Sequence, residues 1–177
     1  MAISPAAPPV ETIDFPNGEH HEVLAADAQR LVIAFTVPPQ DAPNTAHVHD
    51  SADEVFEVFS GALEFTLDGE EHLLTAGDSI VIPRGVEHSW RVVGEAPLTA
   101  QVTFEPGCAF HAFLRDFAAL HDSGRIAPGA RPGLRDFALL QRRHRRDLRV
   151  TTVPKPVLRA VVAVGLAGAA LTGRRLP

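Results

Sequence analysis

Seven short runs rich in β-branched and aromatic residues crowd the stretch from Arg30 to Phe104, and each is closed within two residues by Gly, Pro or Asp. They are Arg30–Val37, Glu54–Phe59, Leu63–Leu67, Glu70–Thr75, Ser79–Ile82, His88–Val93 and Leu98–Phe104. Most alternate apolar with polar residues, as strands with one buried face do. Asp68-Gly69 joins two of them, and this pair supplies the positive φ angles that a tight hairpin turn needs. So many short strands at such close spacing predict a sandwich or a barrel.

After residue 105 the period changes. Phe110, Phe113, Leu114, Phe117 and Leu120 recur at helical spacing and stop at Ser123-Gly124. Leu134, Phe137 and Leu140, extended to Leu148, predict a second helix with Arg142, Arg143, Arg145 and Arg146 on its outer face. Pro154 and Pro156 introduce a third apolar stretch, Val157–Thr172, interrupted only by Arg159. At 1.5 Å per residue it is about 24 Å long, shorter than a hydrocarbon core of ~30 Å, so it is not read as a membrane span. Residues 1–19 begin with a Pro/Ala-rich segment, without the basic start and apolar run of a signal peptide, and are read as a flexible arm. The expected organisation is an arm over 1–19, a β-domain over 20–105 and a basic helical extension over 106–177.

Charge divides at the same boundary. Residues 1–105 carry three Arg against 18 Asp and Glu, a net −15, whereas residues 106–177 carry 13 Lys and Arg against four Asp, a net +9. The acidic half is a poor surface for phosphates, so nucleic acid is not an expected partner. It favours a neutral or cationic ligand over an anionic one, with Arg84 the one cation placed to reverse this locally. The basic tail is expected to pack against the barrel or a second subunit. An interfacial helix in weak peripheral contact with anionic lipid through residues 154–175 is a further reading, because arginines flank it. A single cysteine, Cys108, rules out an intramolecular disulfide and a Cys-based zinc cluster, and a cytoplasmic location is expected. Tyr is absent, which removes a common general acid from any mechanism.

The chemistry-bearing residues fall into two groups. His47-Val-His49 is followed by Glu54 and then Gly61. Side chains alternate along a strand, so the one-residue gap aims both imidazoles from one face. Glu54 opens the next run, and Gly61 permits the tight turn after it. The second group is Gly77, Pro83-Arg84-Gly85 and His88, in which the Gly and Pro bracket one strand and His88 starts another. Three neutral imidazoles and a carboxylate suit one divalent transition metal (Fe, Mn, Ni, Cu or Zn) and leave positions for small ligands.

In these two motifs the sequence resembles the cupin superfamily over about residues 20–105, with His47, His49, Glu54, Gly61, Gly77, Pro83, Gly85 and His88 at the matching places. It departs at Asp41 and Val92, where the family often carries glycine and asparagine; neither position is a metal ligand. The resemblance implies a mainly β fold, a small jelly-roll barrel with a helical C-terminal extension, and His47, His49, Glu54 and His88 as metal ligands inside it. A homodimer is expected from the habit of such barrels to pair.

Three functions fit this set. One is a metal-dependent dioxygenase-type enzyme acting on a small neutral molecule, with Glu54 also able to serve as a catalytic base. Another is a metal-assisted isomerase or cyclase, weakened by the missing Tyr and the scarcity of cations. The third is a non-catalytic binding or sensing barrel. Glu57 has the opposite strand parity to Glu54 and is expected to face away. His72 is read as solvated or peripheral to a pocket, and His20, His21, His111, His121 and His144 as surface or capping residues. Cys108 is read as a small buried apolar residue. Phe56, Val58, Phe65, Ile80, Ile82 and Trp90 are core candidates.

Overall fold

The computed structural model describes residues 8–128 and 130–177. In chain order the strands are β1 (Glu11–Asp14), β2 (His20–Ala26), β3 (Leu31–Val37), β4 (His47–Val48), β5 (Asp53–Ser60), β6 (Ala62–Leu67), β7 (Glu70–Thr75), β8 (Ser79–Ile82), β9 (His88–Val93) and β10 (Leu98–Glu105). Three helices follow, α1 (Phe110–Asp122), α2 (Leu134–His144) and α3 (Lys155–Leu171), with a two-residue strand β11 (Arg149–Val150) between the last two.

The strands form two antiparallel sheets, ordered β1-β2-β3-β10-β5-β8 and β11-β4-β9-β6-β7, in a jelly-roll arrangement. Alternation sets which side chains meet between them. Glu54, Phe56 and Val58 of β5 are buried while Val55 and Glu57 are not, and Leu63 and Phe65 of β6 face them from the opposite sheet. Phe56 lies edge-on to Phe35, Phe65 and Trp90 with ring centroids 5.5–5.8 Å apart. The β6–β7 turn is the one Asp68-Gly69 predicts, with φ of 48° and 85° at its two central residues.

Residues 1–7 of the expected arm lie outside the described residues. The rest of it is not a free arm, because Glu11–Asp14 pair with His20–Val23 as β1 and extend the first sheet. The second helix also ends earlier than expected. It stops at His144, and Leu148 is buried in the segment leading into β11, where it packs with Val150 and Leu158.

The extension packs on the barrel and on itself. Along α1, Phe110, Phe113 and Phe117 stack at 5.8 Å intervals. Between α2 and α3 the backbones approach so closely that a Cβ on Gly165 would fall 2.5 Å from Ala138 Cβ and 2.7 Å from the Leu134 carbonyl oxygen. Asp136, buried on α2, accepts hydrogen bonds from Arg174, at 2.9 and 2.7 Å, and from Arg125, fastening the end of the chain to α2. Among the described residues no helix is long and apolar enough to cross a membrane. The outward side of α3 does leave Val157, Val164 and Leu171 exposed.

Candidate metal centre

His47 and His88 face each other across the β4–β9 pairing, which brings the two sequence motifs together. His49 follows one residue beyond β4, and Glu54 enters from β5 of the other sheet. All four side chains are buried. One ring nitrogen from each of His47, His49 and His88 lies within 4.8 Å of the others. Glu54 Oε2 stands 3.4 Å from His49 Nε2 and 3.3 Å from His88 Nε2.

The other ring nitrogens fix how the imidazoles present themselves. His47 Nδ1 is 2.7 Å from the Thr45 carbonyl oxygen, and His88 Nδ1 is 3.1 Å from that of Val86. His49 Nδ1 meets the carbonyl oxygen of Asp147, 98 residues further along the chain. A carbonyl only accepts, so each Nδ1 carries a proton as donor and leaves Nε2 as the atom free to ligate. The three imidazoles cluster together, and the Glu54 carboxylate stands beside two of them, His49 and His88. Glu54 Oε2 has no hydrogen-bond partner despite being buried. Such an oxygen is costly to bury alone and is satisfied by a cation at the same point. The donor set therefore fits a divalent metal.

Electrostatics agree with this. Burial, with the neighbouring imidazoles, holds the His47 pKa well below its usual value, and burial also lowers that of His49, so both are neutral ligands near neutral pH. For His88, burial pulls downward but the adjacent Glu54 carboxylate outweighs it and raises the pKa. For Glu54, burial pulls upward and is outweighed by His88 and His49, which keep it ionised. An incoming ion must displace the proton His88 retains. Below the raised His88 value we expect up to one proton released per ion bound, falling as pH rises through that value, and affinity rising with pH over the same range. Calorimetric titration in buffers of different ionisation heat measures this directly.

Aromatic rings box the site. Phe65 lies parallel to His88 at 5.9 Å, and Phe104 and Phe110 meet His49 edge-on at 4.9 and 5.0 Å. A groove of about 500 Å³ is lined among others by Leu67, Glu70, His72, Leu74, Ile80 and Val86. It abuts the centre, since Leu67 pairs with His88 and Val86 supplies the carbonyl that His88 meets.

Glu57 faces away and accepts from Gln101 at 3.3 Å. His72 lines the groove. Arg84 donates to Asp53 at 2.8–3.1 Å through its backbone and guanidinium, and that contact holds Asp53 down to about 2, so its charge is already matched and does not reverse the acidic surroundings. Two histidines expected at the surface are buried. His21 sits between Phe15 and Phe35, and His144 pairs with Asp116 at 2.7 Å between α1 and α2. Cys108 is only partly buried, and burial pushes its thiol up to about 12, leaving it protonated and inert. Asp147 and Phe110, both beside His49, were not legible as site residues: a backbone carbonyl has no signature in sequence, and Phe110 reads only as one helical apolar position.

Residues 33–104 match the family model of the cupin domain. That stretch is similar to the cupin domain, and the three-histidine cluster lies within it. Over 46 residues it is 50% identical to quercetin 2,3-dioxygenase of Bacillus subtilis (strain 168), a match covering 26% of this chain and 14% of that enzyme's length. Among solved structures it is similar to KdgF from Halomonas sp., at 23% identity and a TM-score of 0.49, covering 55% of this chain and 89% of that one. An RmlC-like cupin from Shewanella frigidimarina is also similar, at 23% identity and a TM-score of 0.49, covering 57% and 87%.

Proposed function

We propose that this protein is a metal-dependent dioxygenase-type enzyme acting on a small neutral molecule, with His47, His49, Glu54 and His88 as the ligands of one divalent transition metal. The observation that carries the reading is the cluster of three buried imidazoles, two of them within 3.4 Å of a buried carboxylate oxygen without a hydrogen-bond partner. A short stretch of likeness to a dioxygenase supports it. A metal bound there supplies Lewis acidity and, if redox-active, electron exchange with dioxygen. The chain's own part is to hold and exclude. The three Nδ1–carbonyl contacts keep the rings neutral and oriented, and Phe65, Phe104 and Phe110 keep water out. Glu54 Oε2 is the atom placed to take a proton from an enolic or phenolic hydroxyl.

A binding or sensing barrel without turnover is the second reading, favoured by the aromatic rings that fill the interior beside the site. Metal analysis of tag-free protein, alongside a His47→Ala, His88→Ala variant, separates these. We expect about one redox-active ion per chain in the parent and none in the variant, and dioxygen uptake with phenolic or enolic compounds only in the parent. Stoichiometric metal with no turnover would favour binding or isomerisation. No metal above the variant's background after reconstitution would sink the metal reading altogether.

A further inference from the structure

We infer that the C-terminal extension is a working part of the metal centre, in which residues 146–151 form a clasp that positions His49. This rests on the reading of His47, His49, Glu54 and His88 as metal ligands. The His-x-His segment spans a two-residue strand and the residue after it, and on its inner side Gly85 N–H donates to the His49 carbonyl at 2.9 Å. Its inner edge pairs with β9 only at His47 and His88. Its outer edge is covered by the extension.

The cover is continuous and largely backbone. Arg149 and Val150 pair with Val48 and His47. On either side, Asp50 N–H donates to the Arg146 carbonyl at 3.2 Å, and Thr151 N–H donates to that of Ala46 at 3.0 Å. At the centre the Asp147 carbonyl receives His49 Nδ1. Two side chains pin this register. The Arg149 guanidinium makes a bidentate contact with Asp50, at 2.7 and 2.8 Å, next in sequence to His49. Asp147 Oδ1 accepts from Ala109 N–H at 3.0 Å, tying the same residue to the start of α1, whose Phe110 packs on the His49 ring. One residue of the extension thus carries both the carbonyl that orients a ligand imidazole and the carboxylate that anchors the helix covering it.

A ligand held in the wrong rotation loses metal affinity although no ligand atom is removed, by roughly 10- to 100-fold for an outer partner of a ligating His. Arg149 and Asp147 are therefore positioning residues. A distant ion pair of the same extension, Arg174 with Asp136, provides the control, because it fastens α2 without touching β4.

The experiment measures zinc affinity by chelator competition on the full-length chain for the parent, Arg149→Ala, Asp147→Ala and Arg174→Ala, with urea unfolding of each metal-free protein. It also follows the His49 Nδ1 proton by NMR in the zinc-loaded state. We expect Arg149→Ala and Asp147→Ala to weaken zinc binding by roughly 10- to 100-fold, with faster exchange of the His49 Nδ1 proton. Arg174→Ala is expected to bind zinc as the parent does whatever its stability. Parent-like zinc affinity in the clasp variants overturns the inference, as does a loss that merely tracks unfolding free energy across all three. A parent that binds no zinc overturns instead the ligand assignment on which it rests.

Discussion

A Glu54→Gln variant is expected to lose metal affinity by roughly two orders of magnitude, about 3 kcal/mol, while its metal-free form is no less stable than the parent. The two effects have opposite origins. Toward a divalent ion, Glu54 is the one anionic donor in the cluster, and the amide replaces it with a neutral oxygen and a pair of donors. In the metal-free protein, the same carboxylate is buried with one oxygen unpartnered, which costs free energy that the amide avoids. The comparison is made above the raised His88 value, where the neighbouring rings are neutral and do not offset that cost. Chelator competition and thermal unfolding of both forms check this. A variant that binds metal as the parent does would remove Glu54 from the ligand set. A large fall in metal-free stability would show that its role is structural.

Gly61→Val is expected to be strongly destabilising, by about 3 kcal/mol or more. Gly61 joins β5 to β6 with φ of +81°, a region that a β-branched residue occupies only under strain. Space is also lacking. A Cβ at this position would lie 2.6 Å from the Pro97 carbonyl oxygen and 2.9 Å from Leu98 Cα, both backbone atoms that cannot swing away. Gly69, with φ of +85°, has nothing within 4 Å. Gly69→Val is therefore expected to cost less, since only the conformational part applies. Urea unfolding of the two variants separates strain from collision, and equal losses would mean that the strand β10 connection yields at Pro97.

The barrel was legible because its strands carry their own evidence. Alternation in Glu54–Phe59, the Asp68-Gly69 turn and the Pro83–Gly85 break each act within a few residues, and local chemistry of that kind is what a sequence displays. The cluster was legible for the same reason, since strand parity turns His47 and His49 to one side. What escaped depends on distant pairing. β1 and β11 are too short to show a period, and they exist because edges of the two sheets were left to cover. Leu148 matches the helical spacing of α2 yet belongs to the approach to β11. His21 and His144 look like surface residues until Phe35 and Asp116 arrive beside them from elsewhere in the chain.

The depth of the four proposed ligands has a kinetic consequence. None of them is more than 5% exposed, and rings close over two of the imidazoles. We expect an ion in solution to reach them only when some part of the wall moves aside. Loading then proceeds at the rate of that opening, so the uptake rate levels off as the ion concentration is raised. The same gate slows departure, and an ion enclosed while the chain folds would leave on the timescale of the wall's motion, whatever the strength of the chelator outside.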